Sequence, residues 1–273
     1  MGRLFRADMR KLKKSSTLWV CTALAFLFGI VMAVLYYIVW VNIGSSVQAT
    51  QQLLGQLGVE KETFETAIAQ FPEPNFFEYA NALLCDTNVL YFGAIVIGVF
   101  VASEYSMGTV KNTIARGFTR TKVFFSKFFS SVIAMMIVVF SYVFGGSMTS
   151  VFMFGFTSST GKKRMLMVLL VYFSLFIAAA SMFLMISVIM KKTGQAIAVS
   201  IIFPVIVESV ISALTIANKS FVPIAKYWLF RTFVAAEDLC LSYRSYIPFL
   251  VAAVYTGVCL VTAYLVFRRQ EFK

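Results

Sequence analysis

The sequence predicts an all-α fold that crosses a membrane six times, and three observations carry that expectation. The 273 residues are 60% hydrophobic and only 13% charged, whereas soluble domains carry about a quarter charged residues. The mean hydropathy is +0.83; such a chain has too few polar groups to cover a core in water, while lipid tails accept apolar surface. Third, the apolar residues gather into six runs of the ~20 residues that a span needs. These are Thr17–Val41, Ala82–Ser103, Val123–Gly146, Met165–Met190, Ala196–Ala217 and Ile247–Phe267, the third free to run on towards Phe156. One membrane domain over residues 1–273 fits this length.

Residues 1–16 read as an amphipathic helix. Leu4, Phe5, Met9 and Leu12 share a face, while Arg3, Arg6, Arg10, Lys13 and Lys14 crowd the others. Such a helix lies in the membrane interface and attracts anionic lipid; a plain basic flank is the alternative. The apolar run that follows exceeds the 7–15 residues of a signal-peptide core, so it reads as an uncleaved first span. Gly2 is followed by Arg6 where a myristoylation motif needs Ser or Thr.

Residues 42–81 form the longest polar stretch. Gln48–Ala69 has helical character, with Leu53, Leu54, Leu57, Phe64 and Ile68 apolar and Glu60, Glu62 and Glu65 acidic. Phe71-Pro72-Glu73-Pro74 ends it, because proline cannot continue a helix. The stretch reads as a small helical cap over the outer face, with a substrate-contacting gate as the sharper alternative. Residues 218–246 interleave Trp228, Phe230, Phe233, Tyr243 and Tyr246 with Lys226, Arg231 and Glu237. That mixture suits short interfacial or re-entrant helices.

The net charge of +12 is explained by topology rather than by nucleic acid, because the basic residues cluster between apolar runs. With both termini cytosolic, sixteen Lys and Arg fall inside and eight outside. Lys162-Lys163-Arg164 is the local exception. A multi-pass cell-membrane protein, bacterial, with N- and C-termini in the cytosol, is the expectation.

Several chemistries are excluded or weakened. The chain has no histidine, which removes most zinc sites, haem ligation and Ser-His-Asp triads, and no metal site is expected. Cys21, Cys85, Cys240 and Cys259 form no CxxC pair; Cys85 and Cys240 both fall on the expected outer side, and the sequence leaves their pairing open. Gly155-Phe-Thr-Ser-Ser-Thr-Gly161-Lys162-Lys163 resembles a phosphate loop but has five residues between the glycines and no Ser or Thr after the lysine. No ATP site is therefore visible.

Small residues recur at fours on the spans: Ala94, Gly98 and Ala102; Ser141, Gly145 and Thr149; Ser174 and Ala178. They let helix backbones approach in lipid, within the chain or across a dimer. Two acids fall where acids are costly. Glu208 lies in the fifth span, as a pathway group or packed against a polar neighbour. Asp86 lies near the outer end of the second, close enough to the interface to be solvated.

The loop between the second and third spans, residues 104–122, is the most informative segment. It reads as a span end, a glycine-bearing turn, a short helix near Thr109–Ala115, a break at Gly117 and a new basic start. A short basic helix held beneath a membrane suits a cytosolic partner. Glu104-Tyr-Ser-x-Gly108-Thr109-Val-Lys111-Asn, then Arg116-Gly117-x-Thr-Arg120, then an aromatic stretch with Lys127, resembles the coupling segment of the type 2 exporter class of ABC permeases. The layout is similar as well: a basic amphipathic start, six spans and Phe267-Arg268-Arg269 at the end.

That resemblance implies a function. Glu104, Gly108, Thr109, Lys111, Arg116, Gly117 and Arg120 would fall in the segment that docks on the ATPase. The partners would be a cytosolic ATP-binding subunit, a second permease chain and membrane lipid, with no nucleic acid. The chain itself would be no enzyme and hold no cofactor, ATP and Mg being on the partner. The nearest flavour is the compact permeases of Gram-positive drug, bacitracin or lantibiotic export and immunity. The rivals are a secondary transporter, which would want inverted repeats and broken helices, a membrane enzyme, and a non-transporting sensor or anchor subunit.

Overall fold

The structure, a computed structural model, describes residues 2–57, 76–154, 162–218, 221–241 and 246–269. Among them the fold is all-α, and six helices are long and apolar enough to cross a membrane. In chain order the helices are α1 (Gly2–Lys14), α2 (Ser16–Leu57), α3 (Phe76–Cys85), α4 (Val89–Ser106), α5 (Thr109–Ala115), α6 (Arg120–Phe154), α7 (Lys162–Met190), α8 (Thr193–Ala217), α9 (Val222–Ala225), α10 (Leu229–Leu241) and α11 (Tyr246–Arg269). The six spans are α2, α4, α6, α7, α8 and α11.

The bundle is layered. α4 touches α2, α6, α7 and α8 and so forms its centre. In the most apolar stretches of α4, α6 and α7, 56%, 61% and 67% of residues are buried, against 28%, 11% and 22% in α2, α8 and α11. The last three therefore form the shell, and their exposed Leu27, Ile202 and Val258 need no cover in hydrocarbon.

Small residues set a close crossing between α2 and α6. A Cβ on Gly145 would stand 2.5 Å from the Phe26 carbonyl oxygen, and one on Gly29 would strike the Tyr142 carbonyl. The Ser141 hydroxyl donates to the Thr22 carbonyl at 3.0 Å. On α4, Ala94, Gly98 and Ala102 are buried, Gly98 against Ile197 of α8. These stripes pack helices of the same chain, as small residues do in lipid.

Two expectations for the second span are corrected. The second span does not run unbroken from Ala82 to Ser103: the helix stops at Cys85 and restarts at Val89. Asp86 causes the break. Its Oδ1 accepts the Asn88 backbone N–H at 2.9 Å and the Asn88 amide at 2.8 Å, local bonds that compete with the helical ladder. Its other oxygen accepts from the Tyr142 hydroxyl of α6, so Asp86 is half-buried and tied to the third span rather than simply solvated. The nearby Tyr79 phenol is pushed above its usual range, first by burial and then by the Asp86 charge.

For residues 218–246 the sequence left interfacial and re-entrant helices open. α10 is inserted among α3, α7 and α11, with Leu229, Phe233 and Ala236 fully buried. The Tyr172 hydroxyl of α7 donates to the Phe233 carbonyl at 3.3 Å. The buried face of α10 belongs to the core, while Lys226 and Tyr227 just before it are exposed. The polar stretch at 42–81 begins as a continuation of α2 to Leu57. Glu60, Glu62, Glu65 and the Phe71–Pro74 terminator lie outside the described residues, as do residues 155–161 of the phosphate-loop look-alike and the Cys240 side chain. Cys85 Sγ lies 2.6 Å from the Tyr172 hydroxyl, a hydrogen-bonding contact.

Candidate functional site

The chemistry concentrates at the end of the bundle where α1 lies. Leu4, Asp8 and Leu12 recur every four residues on α1 and are all buried, because residues four apart share a helix face. Sequence reasoning placed Leu4 and Leu12 on this face and missed the acid between them. α1 packs on α6, and the partner of Asp8 is Lys127, 2.6 Å away. Ser126 donates a second hydrogen bond to Asp8 at 2.5 Å.

Lys127 also reaches α4. Its Nζ lies 2.8 Å from Glu104 Oε2 and 4.8 Å from the centre of the Phe100 ring. Lys11 of α1 closes on the other Glu104 oxygen at 3.2 Å. Two carboxylates and two ammonium groups thus alternate as Asp8, Lys127, Glu104, Lys11, tying α1, α4 and α6 together. Burial makes this arrangement demanding: a buried charge is tolerated only when paired and hydrogen-bonded.

The short helix hangs from the same residue. The Thr109 hydroxyl donates to the Glu104 backbone carbonyl at 3.2 Å. Gly108 at φ 67° and Gly117 at φ 88° bracket α5 in the left-handed region that glycine enters at little cost. Val110 is buried and anchors α5 to the bundle. Lys111, Asn112 and Arg116 are exposed, and Met107 at the preceding turn is 73% exposed. After Gly117 the chain re-enters the bundle at Arg120, whose guanidinium donates to the Arg268 carbonyl at the end of α11, 2.6 Å away.

The seven residues singled out from sequence therefore sort by task. Glu104, Thr109 and Arg120 are engaged with the bundle, Gly108 and Gly117 shape the loop, and Lys111 and Arg116 point to solvent. The signal for Asp8 was its spacing, as the single acid of α1 four residues from each of two leucines, although spacing does not name its partner Lys127.

Glu208 stands apart from this cluster. Arg231 of α10 donates to its Oε1 at 2.8 Å and to the Ser212 hydroxyl at 2.8 Å. Glu208 Oε2 is screened from solvent and has no hydrogen-bond partner among the described residues. Among those residues no three His, Cys, Asp or Glu side chains gather to hold a metal.

Fold and site together define a multi-pass, all-α membrane protein with a buried ion cluster behind one solvent-facing helix. A family described as "Protein of unknown function (DUF2705)" matches residues 52–272. The match covers most of the chain, everything from the end of α2 onward, and the chain belongs to that family. The comparison with curated proteins found no match.

Proposed function

We propose that this chain is the membrane-spanning permease subunit of an ABC transporter. It would export or clear a hydrophobic or amphipathic substrate (a drug, a peptide antibiotic or a lipid-like molecule) with ATP hydrolysed by a separate subunit. One observation carries the reading. α5 is a seven-residue helix, too short to be stable alone, yet it is fixed at both ends by left-handed glycines and presents Lys111 and Arg116 outward. A helix so held, with cations that the bundle does not use, is a handle for another protein.

The physical route from that handle into the bundle is short. Force on α5 passes through the Thr109 to Glu104 bond into α4, through Lys127 into α6, and through Asp8 and Lys11 into α1. The α1 end faces the cytosol in this reading, in keeping with the sixteen-to-eight division of basic residues, and the membrane is a bacterial cell membrane. A second permease chain completes the transporter, and ATP and Mg are held by the partner ATPase. Elsewhere in the molecule, the Glu208–Arg231 pair joins a span to α10 and would part when the spans move, exposing a carboxylate to the pathway.

Arg116→Glu and Gly117→Val test the handle. Both should leave membrane insertion intact, because neither side chain packs in the bundle. Both should release the ATP-binding subunit on co-purification or abolish substrate-stimulated hydrolysis, since charge pairs at such interfaces are worth about 2–5 kcal/mol when buried. Wild-type docking and stimulation in both variants would leave the loop as a basic flank and overturn the proposal.

A further inference from the structure

We propose that α1 and the start of α2 form a specific site for an anionic phospholipid. The inference stands apart from the transporter reading and rests on a cleft between α1, α2 and α6. Its volume is about 400 Å³ and its walls are almost wholly apolar, with Leu12, Leu18 and Ile137 among them. Such a volume lies within the ~300–1,000 Å³ of ligand clefts. Arg6, Arg10 and Lys13 also line it, are exposed, and form no salt bridge among the described residues.

The charge arrangement selects the occupant. Asp8, the one acid of α1, is turned away into the bundle and matched by Lys127, so no carboxylate competes at the cleft. Trp19 forms part of the wall and donates its indole N–H to the Lys13 carbonyl at 2.7 Å, the placement that tryptophan takes at a headgroup boundary. Three unmatched cations over a dry apolar floor fit a phosphate-bearing headgroup with its acyl chain beneath. A second furrow of about 320 Å³, with Gly2, Phe5, Phe129 and Ile133 in its lining, has no Lys or Arg among its described lining residues and does not share this preference.

The test uses the full chain purified in mild detergent and titrated with phosphatidylglycerol or phosphatidylcholine, with retained lipid counted by native mass spectrometry. The wild type should retain one phosphatidylglycerol at a concentration at least about tenfold below that needed for phosphatidylcholine. The variant Arg6→Gln/Arg10→Gln/Lys13→Gln should lose that preference. Ile137→Trp, which fills the floor and leaves the charges, should weaken retention too. Lys111→Gln/Arg116→Gln, with cations removed elsewhere on the surface, should keep it. Equal retention of the two lipids by the wild type overturns the proposal, as does an equal loss in the Lys111/Arg116 control.

Discussion

Lys127→Met is the perturbation whose cost follows most directly from the geometry. The Lys127 side chain is 9% exposed and sits on Asp8, which is 2% exposed, and Glu104, which is 11% exposed. Among the described residues, its removal leaves Asp8 with only the Ser126 hydroxyl and Glu104 with only Lys11, itself 52% exposed. Breaking a buried pair from one side costs about 3–5 kcal/mol, because a charge is left unmatched. Removing the exposed member, as in Lys11→Met, costs about 0–1 kcal/mol after solvent screening. With 1 kcal/mol worth about 2–4 °C in a chain near this length, Lys127→Met should lower the unfolding midpoint by about 6–20 °C and Lys11→Met by less than about 4 °C. The assay is thermal unfolding followed by size-exclusion chromatography in one fixed detergent. Adding Asp8→Asn and Glu104→Gln to Lys127→Met should restore more than half of the loss, since the one charge then left in the set is Lys11, half exposed and open to solvent. A Lys127→Met midpoint within about 2 °C of the wild type, or no recovery in the triple variant, would refute the reasoning.

Three further outcomes are expected. Gly145→Ala forces a methyl group against the Phe26 carbonyl and should destabilise by about 1–3 kcal/mol, read on the same thermal assay, whereas Gly194→Ala, with open space around it, should not. Arg231→Met opens the Glu208 ion pair and should lower transport while the protein still inserts; unchanged transport would leave the pair as packing alone. Single cysteines at Lys191 and Arg268 should react with an impermeant reagent only from the cytosol and one at Glu60 only from outside, and cytosolic labelling of Glu60 would reverse the assigned orientation.

The spans were legible because hydrocarbon imposes one simple demand, a run of about 20 apolar residues, and that demand is local in sequence. α5 was legible for a related reason: glycines at 108 and 117 mark its two ends without reference to the rest of the fold. Asp8 was not read, although its spacing from Leu4 and Leu12 was visible, because its meaning depends on Lys127, 119 positions away. The break at Asp86 was hidden by composition. An apolar run flanks it on both sides, and only the Asn88 and Tyr142 bonds reveal that the aspartate ends one helix instead of riding within another. α10 shows the same limit: the sequence left an interfacial and a re-entrant helix open, and Phe233 and Leu229 are buried against neighbouring helices that sequence spacing does not bring together.

The central claim is that α5 docks on an ATP-hydrolysing subunit, and site-specific photocrosslinking in the native host tests it most directly. A photoreactive residue placed at Lys111 or Arg116 should trap a cytosolic chain carrying the Gly-x-x-x-x-Gly-Lys-Ser/Thr phosphate loop, while one placed at Phe140, exposed on the side of α6, should not. Adducts from both positions that contain no such chain, with full-length protein present in the membrane, would contradict the account.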